Sequence, residues 1–231
     1  MVVGANSFRF SNARAVLFPI FAALMFFCIG PRAVVAHPHA WIDLESGLRF
    51  NEKGEAVSLS QIWLLDPGYS SFATAGLDKD GDGKPDWSAL DALLRENMRN
   101  LKKFNYFTEI YQADRTVKFA EIVEMSTRMR ADRLEMQFVV PFEKPVRITA
   151  KRELHYRIFD PTYYIEVVHA EKKGSFSLTG APKGCKTTLR EPTPDADTVM
   201  FAAALDQTQS AGSGLGKFFA ETVQVACPAG D

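Results

Sequence analysis

Hydrophobic and polar residues alternate with a period of two along much of this chain. From Trp41 to Phe50 the apolar residues Ile42, Leu44, Leu48 and Phe50 share one face, while Trp41, Asp43, Glu45 and Arg49 share the other. That pattern predicts a strand with one buried face. Asn51-Glu52-Lys53-Gly54 has turn chemistry and 56–65 runs as a second strand, so the pair reads as a β-hairpin. The period then changes. Trp87, Leu90, Leu94, Met98 and Leu101 recur at helical spacing, and Arg95, Arg99, Lys102 and Lys103 crowd the far end, where the helix dipole favours cations. A helix over 87–103 follows. Shorter strand-like runs occupy 107–111, 117–123, 134–140 (stopped by Pro141), 153–159, 163–169, 175–179 and 186–189. Residues 191–197 read as a Pro/Asp linker, 198–205 as a helix, about 206–216 as a flexible Gly/Ser-rich loop, and Val223, Val225 and Cys227 as a terminal strand. The sum predicts an α+β fold, mainly antiparallel β and sandwich-like, with an insertion at about 66–104 made of an Asp-rich loop and the helix that follows it.

The first 36 residues break the alternation. Arg9 and Arg14 precede an apolar run from Ala15 to Ile29, and Val34 and Ala36 satisfy the small-x-small rule for cleavage. The run is shorter than the roughly 20 residues a membrane span needs. Residues 1–36 are therefore expected to be a signal peptide, leaving 37–231 as a single periplasmic domain with no stable membrane insertion. Excision removes Arg9, Arg14 and Arg32 and no acid, taking the formal net charge from −1 by three arginines to −4. No basic block remains, which argues against nucleic-acid binding. Cys28 leaves with the signal. Cys185 and Cys227 remain, an even pair in an oxidising compartment, and a disulfide is expected.

Two segments carry candidate chemistry. Cleavage after Ala36 makes His37 the first residue, so its amine, its imidazole and that of His39 gather at one point, a donor set suited to Ni, Co, Zn or Cu. Pro38 lacks the amide hydrogen that a full amine–amide square-planar chelate requires. Asp43 shares a strand face with His39 and is expected to ligate or to orient an imidazole. His155 or His169 would have to join for a copper histidine brace. The second segment, Asp78 to Asp86, matches a calcium loop at positions 1, 3, 5, 6 and 9. Asp78, Asp80 and Asp82 supply carboxylates, Gly83 the bend, Lys84 its carbonyl, and Asp86 a direct or water-bridged ligand. Ala89 stands where a bidentate Glu belongs, which lowers the expected affinity; in a simple acidic turn Asp86 would instead cap the helix. There is no Gly-rich phosphate loop, GxSxG or HExxH, so no enzyme activity is expected.

The ordered set His37-Pro38-His39-Ala40-Trp41-Ile42-Asp43, Asp78-x-Asp80-Gly81-Asp82-Gly83, Asn105-Tyr106-Phe107-Thr108, Asp160-Pro161-Thr162-Tyr163-Tyr164-Ile165 and Gly180-Ala181-Pro182-x-Gly184-Cys185 resembles the exported bacterial domain-of-unknown-function family 1007. Members are described as periplasmic components of an uncharacterised ABC-type transport system and are frequently paired with nickel/cobalt permeases. The resemblance implies a metal-transport accessory and brings no agreed catalytic residues. Ala40 and Ala89 depart from the expected pattern. The leading expectation is a periplasmic accessory that binds Ni²⁺, Co²⁺ or Zn²⁺ through His37, His39 and Asp43 beside an inner-membrane metal permease, with a structural calcium loop. The alternative is a calcium-stabilised envelope interaction module with no transition-metal role.

Overall fold

The computed structural model describes residues 38–171, 174–205 and 214–228. Residues 36–231 form one compact unit, distinct from 1–35. The expected signal peptide, His37 and residues 206–213 of the Gly/Ser-rich loop lie outside the described residues.

The alternating segments become strands as their patterns require. β1 (Ala40–Phe50) and β2 (Ala56–Leu65) form the predicted antiparallel hairpin, with Ile42 opposite Leu65, Leu44 opposite Trp63 and Leu48 opposite Leu59, all buried. β3 is Thr108–Gln112, β4 Arg115–Thr116, β5 Met125–Arg130 and β6 Arg133–Val146; β7 is Leu154–Ile158, β8 Ile165–His169, β9 Phe176–Thr179, β10 Lys186–Arg190 and β11 Thr222–Ala226. One sheet has the order β5-β6-β2-β1-β8, with β9 also on β1. The outer edge of β1 is divided: β8 runs parallel beside Ala40–Leu44, and β9 runs parallel beside Ser46–Arg49. The other sheet, β10-β11-β7-β3-β4, is antiparallel throughout. Leu44, Leu59 and Phe138 of the first sheet share one apolar core with Ile110, Leu154, Tyr156 and Val223 of the second. The fold is α+β, and its two sheets pack through their inner faces as a sandwich does.

Three helices are described: α1 (Pro67–Thr74), α2 (Trp87–Leu101) and α3 (Ala196–Ala204). α2 buries Leu90, Leu94 and Met98, the stripe its spacing predicts, and gives way at Lys102 to a 3₁₀ turn rather than running to Lys103. α1 was not among the expected elements. Its signal was present: Asp66 caps the helix through Tyr69 N (2.9 Å), and Pro67 occupies the first turn, where a missing N–H costs nothing.

Two other expectations are corrected. Pro141 does not stop β6, which continues to Val146; it lies opposite Ser58, where the β2 register shifts, so its absent N–H falls at an irregularity in the ladder. Residues 117–123 do not form a strand. Val117 N still bonds Ile110 O in the second sheet, but Phe119 bridges to Phe142 and Ala120 N donates to Pro141 O, so the segment crosses to the first sheet. β5, absent from the expected set, then pairs with β6. Cys185 and Cys227 are joined by a disulfide, which ties the approach to β10 to the end of β11.

Candidate functional site

The Asp-rich loop organises itself through neighbouring residues. Asp78 accepts from Gly81 N (2.7 Å) and Gly83 N (2.9 Å), Asp80 from Asp82 N (3.1 Å), and Asp82 from Lys84 N (2.8 Å). Gly83 has φ 84°, the left-handed backbone that its place in a calcium loop demands. Among the described residues, Asp78, Asp80 and Asp82 form the one group of His, Cys, Asp or Glu side chains that gathers three ligand atoms, here within 4.8 Å of one another. All three are exposed. Such oxygens fit a hard cation, since like charges this close relax when one lies between them. Asp86 stands apart. Its carboxylate accepts from Lys79 N (2.8 Å), and it caps α2 through its main-chain carbonyl and makes no side-chain cap bond. It closes the loop instead of joining the oxygen cluster.

The histidine set is more dispersed. His39 is the last residue before β1; its N–H donates to Tyr164 O (2.9 Å) and its ring lies 4.8 Å from the Tyr164 ring. Asp43 is four residues further along the strand, about 13 Å away at strand rise. Its carboxylate accepts from Arg133 Nη1 (2.7 Å), and the same guanidinium donates to the carbonyls of Leu64 and Leu65. Asp43 thus anchors a clamp over β1 and β2, and the structure does not bring it to His39. The carboxylate nearest by register is Glu166, which pairs with Trp41 and accepts from its indole N–H (2.9 Å). His169 pairs with Leu44, five residues up the strand from His39. His155 sits on β7 in the other sheet, stacked on Tyr111 at 5.1 Å. Burial pulls the His155 pKa below its ordinary value, with Arg190 and Arg157 acting in the same direction against Glu153.

The inner faces hold a row of polar groups that sequence reading did not assemble. His169 Nδ1 lies 2.7 Å from Glu221 Oε2, which also accepts from His169 N, and His169 Nε2 lies 3.0 Å from Ser46 Oγ. Ser46 Oγ is in turn 2.7 Å from the Tyr156 hydroxyl. With a neutral imidazole every donor finds an acceptor: Tyr156 O–H to Ser46, Ser46 O–H to His169 Nε2, and Nδ1–H to Glu221. Desolvation raises the Tyr156 pKa far above its usual value, so the phenol stays a donor. The row has the residue types of a Ser-His-acid triad, but Ser46 and His169 are buried in mid-sheet and Ser46 is shared with a second partner. It joins β1 and β8 to β7 and the residue before β11.

A neighbouring chain of bonds holds strained backbone. Asn105, Tyr106 and Phe107 follow one another at φ 51°, 55° and 56°. Each left-handed non-glycine residue costs about 1–2 kcal/mol. The fold fixes them: Thr108 Oγ1 donates to Tyr106 O (2.8 Å), Gln61 Nε2 donates to Thr108 Oγ1 (2.8 Å), and Phe159 N donates to Phe107 O (2.8 Å).

A family model described as "Protein of unknown function (DUF1007)" matches residues 22–227. The chain belongs to this family. The DUF1007 match covers both sheets, the Asp-rich loop and both cysteines of the disulfide. A protein of Haemophilus influenzae described as uncharacterized is 27% identical over 197 residues, which cover 84% of this chain and 92% of that protein. Among the described residues, no helix is long and apolar enough to cross a membrane.

Proposed function

We propose that this DUF1007 protein is an exported, non-enzymatic accessory domain stabilised by calcium on the loop from Asp78 to Asp86. The observation that carries the reading is the convergence of the Asp78, Asp80 and Asp82 oxygens within 4.8 Å. Asp78, Asp80 and Asp82 would hold the ion, with the Lys84 carbonyl and water completing the shell. Asp86 positions the loop through Lys79 N. The ion would fix the loop against the start of α2. The closed burial of the Ser46–His169 pair favours a structural role for it over a hydrolytic one.

A second reading, transition-metal handling for an inner-membrane permease, draws on the position of His39 at the entry to β1. After cleavage, His37 would precede His39 by two residues in the sequence. In this reading Ni²⁺, Co²⁺ or Zn²⁺ binds His37 and His39 in the periplasm, and Asp43 serves the strand clamp and not the metal. Calorimetric titration separates the two. The first predicts calcium binding that Asp80→Asn with Asp82→Asn abolishes. The second predicts Ni²⁺, Co²⁺ or Zn²⁺ binding lost in His37→Ala with His39→Ala and retained in Asp43→Asn. Absence of calcium binding by the correctly processed protein overturns the first; equal transition-metal affinity with and without the histidines overturns the second.

A further inference from the structure

Two cavities meet at the strained turn between α2 and β3. One, of about 190 Å³, lies at the end of the inner face of the first sheet, with Ile42, Trp63 and Met136 on one side and Leu101, Phe104 and Phe107 on the other. Its lining is mainly apolar, with Asn97 and Asn100 among its walls. The second, of about 570 Å³, shares Phe104 and Phe107 and continues past Tyr106, Phe119 and Phe159. That volume falls in the range of small-molecule sites. Phe104 is half exposed although it faces both spaces, while Phe107 is fixed by stacking on Trp63 at 5.7 Å. The turn spends backbone strain to place these rings and the Tyr106 phenol on the cavity walls, and strain of this kind gathers where ligands bind.

The polar groups of the larger cleft define what would fill it. Tyr106 is only 6% exposed as a residue, and its side chain forms part of the wall of this cleft. Burial, and secondarily the nearby Glu121, push its pKa up, so it remains a neutral donor. Lys102, Lys118, Glu121 and Glu143 line the same space, and none of these four side chains has an ion-pair partner among the described residues. Glu109, the third carboxylate of the lining, already pairs with Lys217 (3.0 Å), so the charged groups left for a ligand are two cations and two carboxylates, with one phenol donor beside a wall of aromatic rings. An anion or a cation alone would leave half of that set unmatched. A zwitterion with an apolar side group matches all of it.

We propose that the cleft is a binding site for a free amino acid with a large apolar or aromatic side chain. Its carboxylate would meet the lysines and the Tyr106 hydroxyl, its ammonium the glutamates, and its side chain would lie across Phe104 and Phe107 toward the smaller cavity. The aromatic faces add attraction for the ammonium.

The test is an amide-resolved NMR titration of the purified protein with L-phenylalanine, 3-phenylpropionate and phenethylamine, with affinities from calorimetry. L-phenylalanine is expected to shift residues 102–109 and 116–121 and to bind at least about tenfold more tightly than either singly charged analogue. Tyr106→Phe keeps the ring and is expected to weaken binding about fivefold, the loss of one neutral hydrogen bond. Its unfolding midpoint reports separately on the fold, and Lys118→Ala with Glu121→Gln, both exposed, supplies a second variant that is also expected to weaken binding. No shift at these residues with millimolar L-phenylalanine overturns the proposal, as does equal affinity for the three probes. Calcium binding at Asp78–Asp82 is read from other residues, so failure here leaves that reading separately decided.

Discussion

The Asp78–Asp86 loop and the Ser46–Tyr156–His169–Glu221 row are both built from polar side chains, but they are organised in opposite ways. The loop is exposed, every side-chain hydrogen bond that shapes it spans seven residues or fewer, and the main-chain bond that closes it, Asp86 N to Leu77 O, spans nine. The row is buried, and its partners lie 52 to 123 residues apart. The loop is a local device, shaped by its own residues and not by the core. The row is a tertiary device that exists only once both sheets have met. Chemistry that must respond to solvent is placed where water can reach it, and chemistry that must select one packing is placed where water cannot.

The sharpest way to break this contrast is through β11, which follows Glu221 and is itself followed by Cys227. Cys185→Ser with Cys227→Ser opens a bridge between residues 42 apart and is expected to lower the unfolding free energy by about 4 kcal/mol in denaturant titration. Next in size is Glu221→Ala. It leaves the His169 Nδ1–H and N–H without their acceptor and is expected to cost about 2–3 kcal/mol while leaving calcium affinity unchanged. A changed calcium affinity in that variant would show that the two regions are coupled.

Smaller effects sharpen the other side. Calcium at ten times its dissociation constant is expected to raise stability by about 1.4 kcal/mol by mass action. Differential scanning calorimetry should show that gain disappear in Asp80→Asn with Asp82→Asn. The smallest effect belongs to His155. Its folded pKa is depressed, so the unfolded chain takes up the proton first, and its contribution to stability is complete above the ordinary value of 6.5. That contribution falls as pH drops through 6.5 toward the depressed value. His155→Gln should flatten this part of the stability–pH curve.

Legibility in the sequence follows the same division. The β1–β2 hairpin and α2 could be read because alternation and helical spacing are local properties of Ile42, Leu44 and Leu48, and of Leu90, Leu94 and Met98. The loop could be read for the same reason, down to Gly83, although the role of Asp86 turned on which backbone N–H its carboxylate met. Asp43 was assigned by strand parity, which gives the face but not the neighbour; Arg133 lies 90 residues away. The acid partner of His169 is Glu221, 52 residues away, because β8 turns the imidazole inward on the parity of Val167. That parity was a usable signal, for a histidine in step with buried apolar residues must find its partners inside. Asp66-Pro67 was a usable signal for α1 as well. Nothing in residues 117–123 announced a crossing between sheets, since apolar alternation serves a strand and a crossover equally well.

The divided outer edge of β1 bears on how this protein is made. Its hairpin partner β2 emerges within a few residues, but the strands that cover its other side, β8 and β9, begin at Ile165 and Phe176. In a chain delivered from its N-terminus, β8 arrives 100 residues after β2 ends, since Ile165 follows Leu65 by that many. Until then a long strand with one apolar face presents bare amides and carbonyls along one edge, which is a template for pairing with a second unfolded chain. Yield in the cell should therefore depend on shielding that edge until the last third of the polypeptide arrives.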